Sequence, residues 1–225
     1  MTPPRSDLHS PPPGDLKGTR RVPGGAASAP AKPDARRRLA SLPLRFLRHG
    51  ATAPNLAGLR CGGDLDVPLT DLGREQAIIA ARRIAALQPP VGLIVTSDLL
   101  RTRETATILA RSMPGAQVLV EPDFAERRLG AWNLLPIAQT QHWFEARRTP
   151  PGGESDDQFL HRIAHAVRGI KQRLNQRPLL VGSKGVARVL GELIELPERL
   201  ELDNGVVWEF DFAARPCLAT AWGAL

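Results

Sequence analysis

An arginine and a histidine follow a short apolar run of this chain. The apolar character of residues 44–47 predicts a buried strand, and Arg48, His49 and Gly50 come directly after it. A neutral imidazole can attack phosphorus, and a neighbouring guanidinium can hold the phosphoryl oxygens. The same pair is also typical of a basic turn after a core strand. Residues elsewhere in the chain are needed to distinguish the two interpretations.

Two more predicted strands end in residues that suit an anion. Gly92–Thr96 is followed, one helical turn later, by Arg101, and Pro178–Gly182 is followed by Ser183 and Lys184. The carboxyl ends of parallel strands share one edge of a sheet, so these side chains are expected to converge with the arginine–histidine pair. Such a group, near helix N-termini, is suited to a dianion, most simply a phosphate.

The elements that must position these residues alternate between strands and helices. This alternation predicts an α/β fold, with a mostly parallel sheet between two helical layers in a three-layer α/β/α sandwich. Thr70 is a candidate N-cap for one helix and Ser155 for another, and Ser97-Asp98 is expected to cap a third. Predicted strands lie at residues 44–47, 92–96, 117–120, 178–182 and 206–210, and predicted helices at about 70–88, 97–111, 133–147, 155–175 and 185–194.

Charge is distributed unevenly along the chain. The net charge is +7 over 225 residues, with 42% hydrophobic and 24% charged residues, as in soluble globular proteins. Residues 1–41 contain eight basic and three acidic side chains, many prolines and few large apolar groups. This composition predicts a disordered basic tail, followed by a single domain over residues 42–225. The domain itself is nearly balanced, with 22 basic and 20 acidic residues.

The composition also argues against several classes of protein. Because the basicity belongs mostly to the tail, no specific nucleic-acid partner is expected. No stretch approaches the length and apolarity of a membrane span or follows the pattern of a signal peptide. Cys61 and Cys217 are the only cysteines, which predicts neither a disulfide framework nor a cysteine metal site. A cytoplasmic location fits these observations.

Five ordered blocks of sequence carry a family resemblance. Over residues 43–212 the chain resembles the histidine phosphatase (phosphoglycerate mutase-like) superfamily, and one of its blocks is typical of the phosphatase branch. The resemblance implies the same α/β/α fold and a site that uses no metal and no cofactor. The blocks are Arg48–Asn55, Asp66–Gly73, Ser97–Ala106, Glu126–Trp132 and Pro151–Ser155.

The resemblance also implies roles for the residues that match it. His49 would attack phosphorus and form a phosphohistidine, and Glu126 would protonate the leaving oxygen and later activate water. Arg48 and Arg101 would clamp the non-bridging oxygens. The further phosphate-binding residues that the resemblance suggests are Asn55, as a hydrogen-bond donor, and Gly63, in the glycine-rich loop Ala57–Val67.

One block departs from the family pattern. The family has a second histidine after the fourth strand, where it contacts the transferring phosphoryl group, and this chain has Lys184. An ammonium also binds phosphate, but as a flexible point charge. Two interpretations follow: a phosphatase with reduced or altered activity, or a pseudoenzyme that binds a phosphorylated ligand.

The prediction from sequence is a metal-independent phosphomonoesterase that acts through phospho-His49. A mutase is disfavoured because the segment from Trp132 to Pro150, which would line the site entrance, is short. The expected substrate is a phosphorylated small molecule, and a phosphoprotein also fits. The sequence predicts neither the particular substrate nor the oligomeric state.

Overall fold

The computed structural model describes residues 43–196, 202–212 and 218–222. The predicted tail, residues 1–41, and Cys217 lie outside the described residues. Six strands form one sheet, in the order β3-β2-β4-β1-β5-β6. The strands are β1 (Leu44–Arg48), β2 (Leu93–Thr96), β3 (Gln117–Val120), β4 (Pro178–Gly182), β5 (Val207–Asp211) and β6 (Leu218–Trp222). The helices are α1 (Ala53–Leu56), α2 (Asp71–Ala85), α3 (Leu100–Ser112), α4 (Ile137–Glu145), α5 (Asp156–Lys171) and α6 (Lys184–Leu193).

The sheet is mostly parallel, which confirms the predicted fold class. Strands β1 to β4 pair in parallel, whereas β5 is antiparallel to β1 and β6 is antiparallel to β5. The prediction that residues 206–210 form the last strand was wrong, because β6 pairs beyond β5. The β6 sequence, Leu-Ala-Thr-Ala-Trp, contains two alanines and gives only a weak strand signal.

Two helical layers cover the two faces of the sheet. Successive side chains of β1 point to opposite faces, so Phe46 and Leu47 belong to separate cores. Phe46 packs with residues of α5 and α6, including Ile163 and Leu190, and Leu47 belongs to the core that includes residues of α2 and α3. The three-layer sandwich is therefore confirmed.

Local contacts decide where the helices begin. The predicted caps Thr70 and Ser155 do accept backbone N–H bonds at the starts of α2 and α5. The predicted Ser97-Asp98 cap was wrong: α3 begins after Leu99, and the carboxylate of Asp66, from another segment, accepts the Leu100 N–H at 2.7 Å. This distant cap leaves no signal in the local sequence.

The longer predicted helices are shorter in the structure. The helix expected over 133–147 starts only after Pro136, as α4, and the helix expected to reach Asn175 ends at Lys171. Within the described ranges, no helix has the length and apolarity needed to cross a membrane.

Candidate active site

The carboxyl ends of β1 and β4, together with α3, meet at one cavity. Its volume is about 280 Å³. The structure brings six of the seven predicted site residues together in the wall of this cavity: Arg48, His49, Asn55, Arg101, Glu126 and Lys184.

His49 is buried at the end of β1, with 3% of its surface exposed. Its backbone N–H donates to the Gly182 carbonyl of β4 at 2.9 Å, and Asn204 donates to its carbonyl at 2.6 Å. The ring Nδ1 lies 2.8 Å from the Gly50 carbonyl. Since a carbonyl only accepts, Nδ1 carries the proton and Nε2 has the lone pair. This hydrogen bond assigns the tautomer that a nucleophilic Nε2 requires.

The surroundings of His49 keep its ring neutral. Burial lowers the pKa of His49 well below its ordinary value of 6.5, and the positive charges of Arg101 and Arg48 lower it further. The hydrogen bond to Gly50 acts in the opposite direction but is the weakest of these influences. A ring with this pKa is an unprotonated nucleophile at neutral pH.

Two arginines border the histidine. Arg101, in the first turn of α3, is 1% exposed and donates to the carbonyls of Leu65 and Gly62 at 3.0 and 3.1 Å. Arg48 donates to the Leu202 carbonyl at 2.5 Å. These acceptors are backbone carbonyls, and the bonds orient each guanidinium. Both side chains can therefore present positive charge to an anion in the cavity.

Asn55 comes from α1, a short helix that we did not predict. Thr52 and Asn55 form a reciprocal capping box there, in which Asn55 Oδ1 accepts the Thr52 N–H at 3.3 Å. This bond uses the amide oxygen of Asn55, so the amide nitrogen is the atom that can donate into the cavity. The signature threonine and asparagine thus have a structural task in addition to the expected one.

Lys184 is the first residue of α6 and lies half-buried in the cavity wall. A cation at a helix N-terminus is unfavourable by about 0.3–1 kcal/mol, whereas an anion there is favourable. A phosphate in the cavity would reverse that penalty, because the lysine and the helix N-terminus would both attract it.

Glu126 lies opposite the N-terminus of α6. Its Oε2 accepts the Gly185 N–H at 2.9 Å, and its Oε1 accepts the Arg127 N–H at 2.7 Å. A Cβ on Gly185 would lie only 2.0 Å from Oε1 of Glu126. Position 185 therefore has to be glycine for the carboxyl group to stay where it is.

An ion pair that sequence reasoning missed holds the segment of Glu126. Glu154, which is 2% exposed, accepts Arg162 at 3.0 Å through Nε and 2.8 Å through Nη2. Arg162 also donates to the carbonyls of Asp123 and Ala125, just before Glu126. Glu154 belongs to the block Pro151–Ser155, and its place in that block was the only signal for its role.

Gly63, the seventh predicted residue, is not in the cavity wall. Its N–H donates to the Arg127 carbonyl at 2.9 Å, and a Cβ would lie 2.1 Å from the Glu126 carbonyl oxygen. The amide of Gly63 is therefore used by the protein itself, and the phosphate-binding role stays a prediction. Gly63 lets the glycine-rich loop approach the backbone of the acid segment.

The entrance of the cavity combines the glycine-rich loop with α4. Arg60 donates to Thr140 at 2.7 Å, and its guanidinium carbon lies 3.9 Å from the centre of the Phe144 ring. Cys61 also lines the cavity, but burial raises the pKa of its thiol. Cys61 is therefore a poor rival to His49 as nucleophile. Arg60 and Phe144 were not among the predicted site residues.

No cluster of three or more His, Cys, Asp or Glu with the geometry of a metal site occurs in the part of the chain that the structure describes. His161 and His165, spaced four residues apart on α5, are both exposed. His165 lies 3.5 Å from the carboxylate of Asp123. Both are surface residues on one face of α5.

The family model described as histidine phosphatase superfamily (branch 1) matches residues 44–224. The chain is 33% identical, over 198 residues, to a probable phosphoglycerate mutase of Photorhabdus laumondii subsp. laumondii, which covers 80% of this chain and 90% of the relative. It is 31% identical, over 157 residues, to a metal-independent phosphoserine phosphatase of Arabidopsis thaliana. That alignment covers 64% of this chain and 65% of the relative. Among solved structures, a mycobacterial glucosyl-3-phosphoglycerate phosphatase with VO3 superposes with a TM-score of 0.65 at 31% identity, which covers 82% of this chain and all of that one.

Proposed function

Because the chain belongs to branch 1 of the histidine phosphatase superfamily, we propose that it hydrolyses phosphomonoesters through a phosphohistidine at His49. The observation that carries the proposal is the state of His49: a buried, neutral ring with Nδ1–H donated to Gly50, in the same cavity wall as Arg101 and Glu126. Phosphatases among the relatives support the reaction class.

The first step transfers the phosphoryl group to His49. The Nε2 lone pair forms a bond to phosphorus while the ester P–O bond breaks, and Glu126 gives its proton to the leaving oxygen. Arg48 and Arg101 stabilise the charge on the non-bridging oxygens. The alcohol is released, Glu126 is left as a carboxylate, and the phosphoryl group stays on the histidine.

The second step restores the site. Glu126 takes a proton from water as the water oxygen attacks phosphorus and the P–N bond breaks. Inorganic phosphate leaves, His49 regains its lone pair and Glu126 regains its proton. The Gly185 and Arg127 amides hold the carboxyl group in place for both steps.

Lys184 takes the place of the family's second histidine in this proposal. Its position at the start of α6 supports a role as donor to a phosphoryl oxygen. Loss of one such donor costs about 10²–10³ in kcat, so Lys184→Ala is expected to be slower by that factor. Faster turnover in Lys184→His than in the wild type would show that the lysine impairs catalysis and would favour the pseudoenzyme interpretation.

Hydrolysis of para-nitrophenyl phosphate tests the reaction itself. We expect release of nitrophenol and phosphate by the wild type and a loss of at least about 10³-fold in His49→Ala. A phosphoryl adduct on His49 that is labile in acid and stable in alkali should appear in a rapid quench of the wild type. Undetectable wild-type hydrolysis, with measurable phosphate binding, would contradict the proposal and leave a phosphate-ligand binder.

The probable mutase among the relatives supports a second candidate. A mutase would return the phosphoryl group from His49 to a second hydroxyl of the bound acid rather than to water. Incubation with 3-phosphoglycerate separates the two: a phosphatase releases inorganic phosphate, and a mutase produces 2-phosphoglycerate without it.

A further inference from the structure

Three apolar side chains line the open end of the catalytic cavity. His49 and Arg101, at the closed end, are 3% and 1% exposed, whereas Ile137, which lines the same cavity, is 40% exposed. Leu59 and Phe144 also line the cavity and are half-buried. Because attack on phosphorus is in line, the leaving oxygen points away from His49. The leaving group therefore extends from the closed end toward these apolar side chains.

Backbone pairing fixes the two segments that carry Leu59 and Ile137. Leu59 forms an antiparallel bridge with Pro136, and the Ile137 N–H donates to the Gly58 carbonyl at 2.9 Å. The apolar surface at the entrance is thus formed before any ligand binds. A ligand that uses this surface does not have to order it, and preformed surfaces of this kind bind with less entropic cost.

Exposed leucines are concentrated in the same two segments. Leu56, three residues before Leu59, is 58% exposed, and Leu134, three residues before Ile137, is 51% exposed. Leu134 has a φ of 61°, a left-handed backbone conformation that leucine rarely adopts, and its N–H donates to the Arg60 carbonyl at 2.9 Å. Strained backbone and exposed apolar groups beside a cleft are both typical of a binding surface.

The polar side chains of the entrance are engaged with one another. Arg60 Nε donates to the Thr140 hydroxyl at 2.7 Å, and its Nη2 donates to Oε1 of Gln141 at 3.2 Å. The amide nitrogen of Gln141 donates to Glu145 at 3.0 Å. A hydroxylated leaving group would have to compete with these hydrogen bonds, whereas an apolar leaving group leaves them intact.

We propose that the leaving group of the substrate is apolar, an alkyl or aromatic group that lies against Leu59, Ile137 and Phe144. This inference rests on the proposed function, because it takes the catalytic cavity to be a phosphatase site. It makes Leu59 and Ile137 specificity-determining residues, and it disfavours phosphorylated sugars as substrates.

A series of alkyl phosphates tests the inference. Ethyl, butyl and hexyl phosphate have leaving groups of nearly equal basicity and differ in apolar length. We expect the wild-type kcat/KM for phosphate release to rise about two- to fourfold per added methylene, since a fully buried methylene contributes about fourfold. Sorbitol 6-phosphate has the six carbons of hexyl phosphate but five free hydroxyls, and it should be the poorer substrate although its alcohol is the better leaving group.

Ile137→Ser and Leu59→Ser should each lower the ratio of the hexyl to the ethyl rate about three- to tenfold, mainly through KM. Ile78→Ser is the matched control, because Ile78 is an isoleucine of α2 that is 43% exposed and lies outside the cavity wall. It should leave the rates and their ratio unchanged. A merely structural disturbance in the entrance variants would lower both rates and keep the ratio.

The outcomes separate the inference from the function it rests on. A rate that does not depend on chain length, a faster hydrolysis of sorbitol 6-phosphate than of hexyl phosphate, or a ratio that both entrance variants retain would overturn the inference while phosphatase activity stands. If neither these esters nor para-nitrophenyl phosphate were hydrolysed, the proposed function would fail instead. Calorimetric binding of ethyl-, butyl- and hexylphosphonate would then decide the inference: affinity that rises with chain length supports it, and equal affinities reject it.

Discussion

The two sides of the candidate site are built in different ways. On the nucleophile side, His49 is fixed by the strand that carries it: by the next residue along the chain, Gly50, and by the neighbouring strand through Gly182. On the acid side, Glu126 lies in a segment without a strand or an α-helix. It depends on Gly185, 59 residues away, and on the Glu154–Arg162 pair.

This difference predicts which changes each side tolerates. The nucleophile side is positioned by the sheet, so its geometry is as stable as the fold. The acid side is positioned by a few polar contacts between distant segments, so single substitutions there should have large effects, on activity at Gly185 and on stability at Glu154. Substitutions at Gly185 and Glu154, together with the titration of His49, test this difference.

Gly185→Ala should have the largest effect. The new Cβ would lie 2.0 Å from Oε1 of Glu126, and the flexible end of that side chain would have to move away. Loss of a positioned general acid costs about 10²–10⁴ in kcat, so we expect a decrease of that size for substrates with poor leaving groups. The decrease should be smaller for para-nitrophenyl phosphate, whose leaving group needs little protonation.

The matched control for that variant is Gly169→Ala, on the exposed face of α5, where a Cβ would meet nothing within 4 Å. Both variants should keep the wild-type melting temperature or exceed it slightly, since alanine favours a helix. An active Gly185→Ala with an unchanged dependence on the leaving group would show that the acid is not positioned in this way.

Glu154→Gln should have the next largest effect, on stability. It would leave Arg162 with a neutral partner in a mostly buried position, and breaking such pairs costs about 3–5 kcal/mol. Arg162 is one-fifth exposed, so we expect a loss near 3 kcal/mol in the free energy of unfolding. Thermal unfolding should show a decrease of about 6–12 °C.

An exposed ion pair is the control for this change. Asp71 and Arg74 are 2.7 Å apart on the surface of α2, and Asp71→Asn should change the melting temperature little. If Glu154→Gln were no more destabilising than Asp71→Asn, the buried pair would not be what holds the acid segment.

The same contrast explains how much of the molecule the sequence predicted. Apolar runs and caps such as Thr70 and Ser155 are local signals, so the sheet and most helices could be predicted. The convergence of the polar residues that follow β1 and β4 could be predicted too, because the carboxyl ends of parallel strands share one edge of the sheet. The tasks of Glu154 and Gly63 could not be predicted, because both depend on contacts between segments far apart in the chain. The hydrophobic periodicity of a segment gives no information about contacts with distant segments.

The titration of His49 tests the nucleophile side and should give the smallest effect. Burial and two arginines lower its pKa, so its ring in the folded protein should titrate well below 6.5, and in the urea-unfolded chain near 6.5. Nuclear magnetic resonance of ring nitrogens labelled with ¹⁵N measures both values. A folded value at or above 6.5 would contradict the neutral nucleophile.

The sign of the stability change follows from that difference in pKa. As the pH falls below about 6.5, the unfolded chain binds a proton at His49 while the folded protein does not, so the free energy of unfolding decreases. The slope from this one group is at most about 1.4 kcal/mol per pH unit, and it ends once the folded His49 also protonates. Urea unfolding of the wild type and of His49→Gln between pH 5 and 7 isolates this contribution, because the variant keeps the other titrating groups. A wild-type stability that fell no faster than that of His49→Gln would mean that the strand end does not hold the ring in its neutral form.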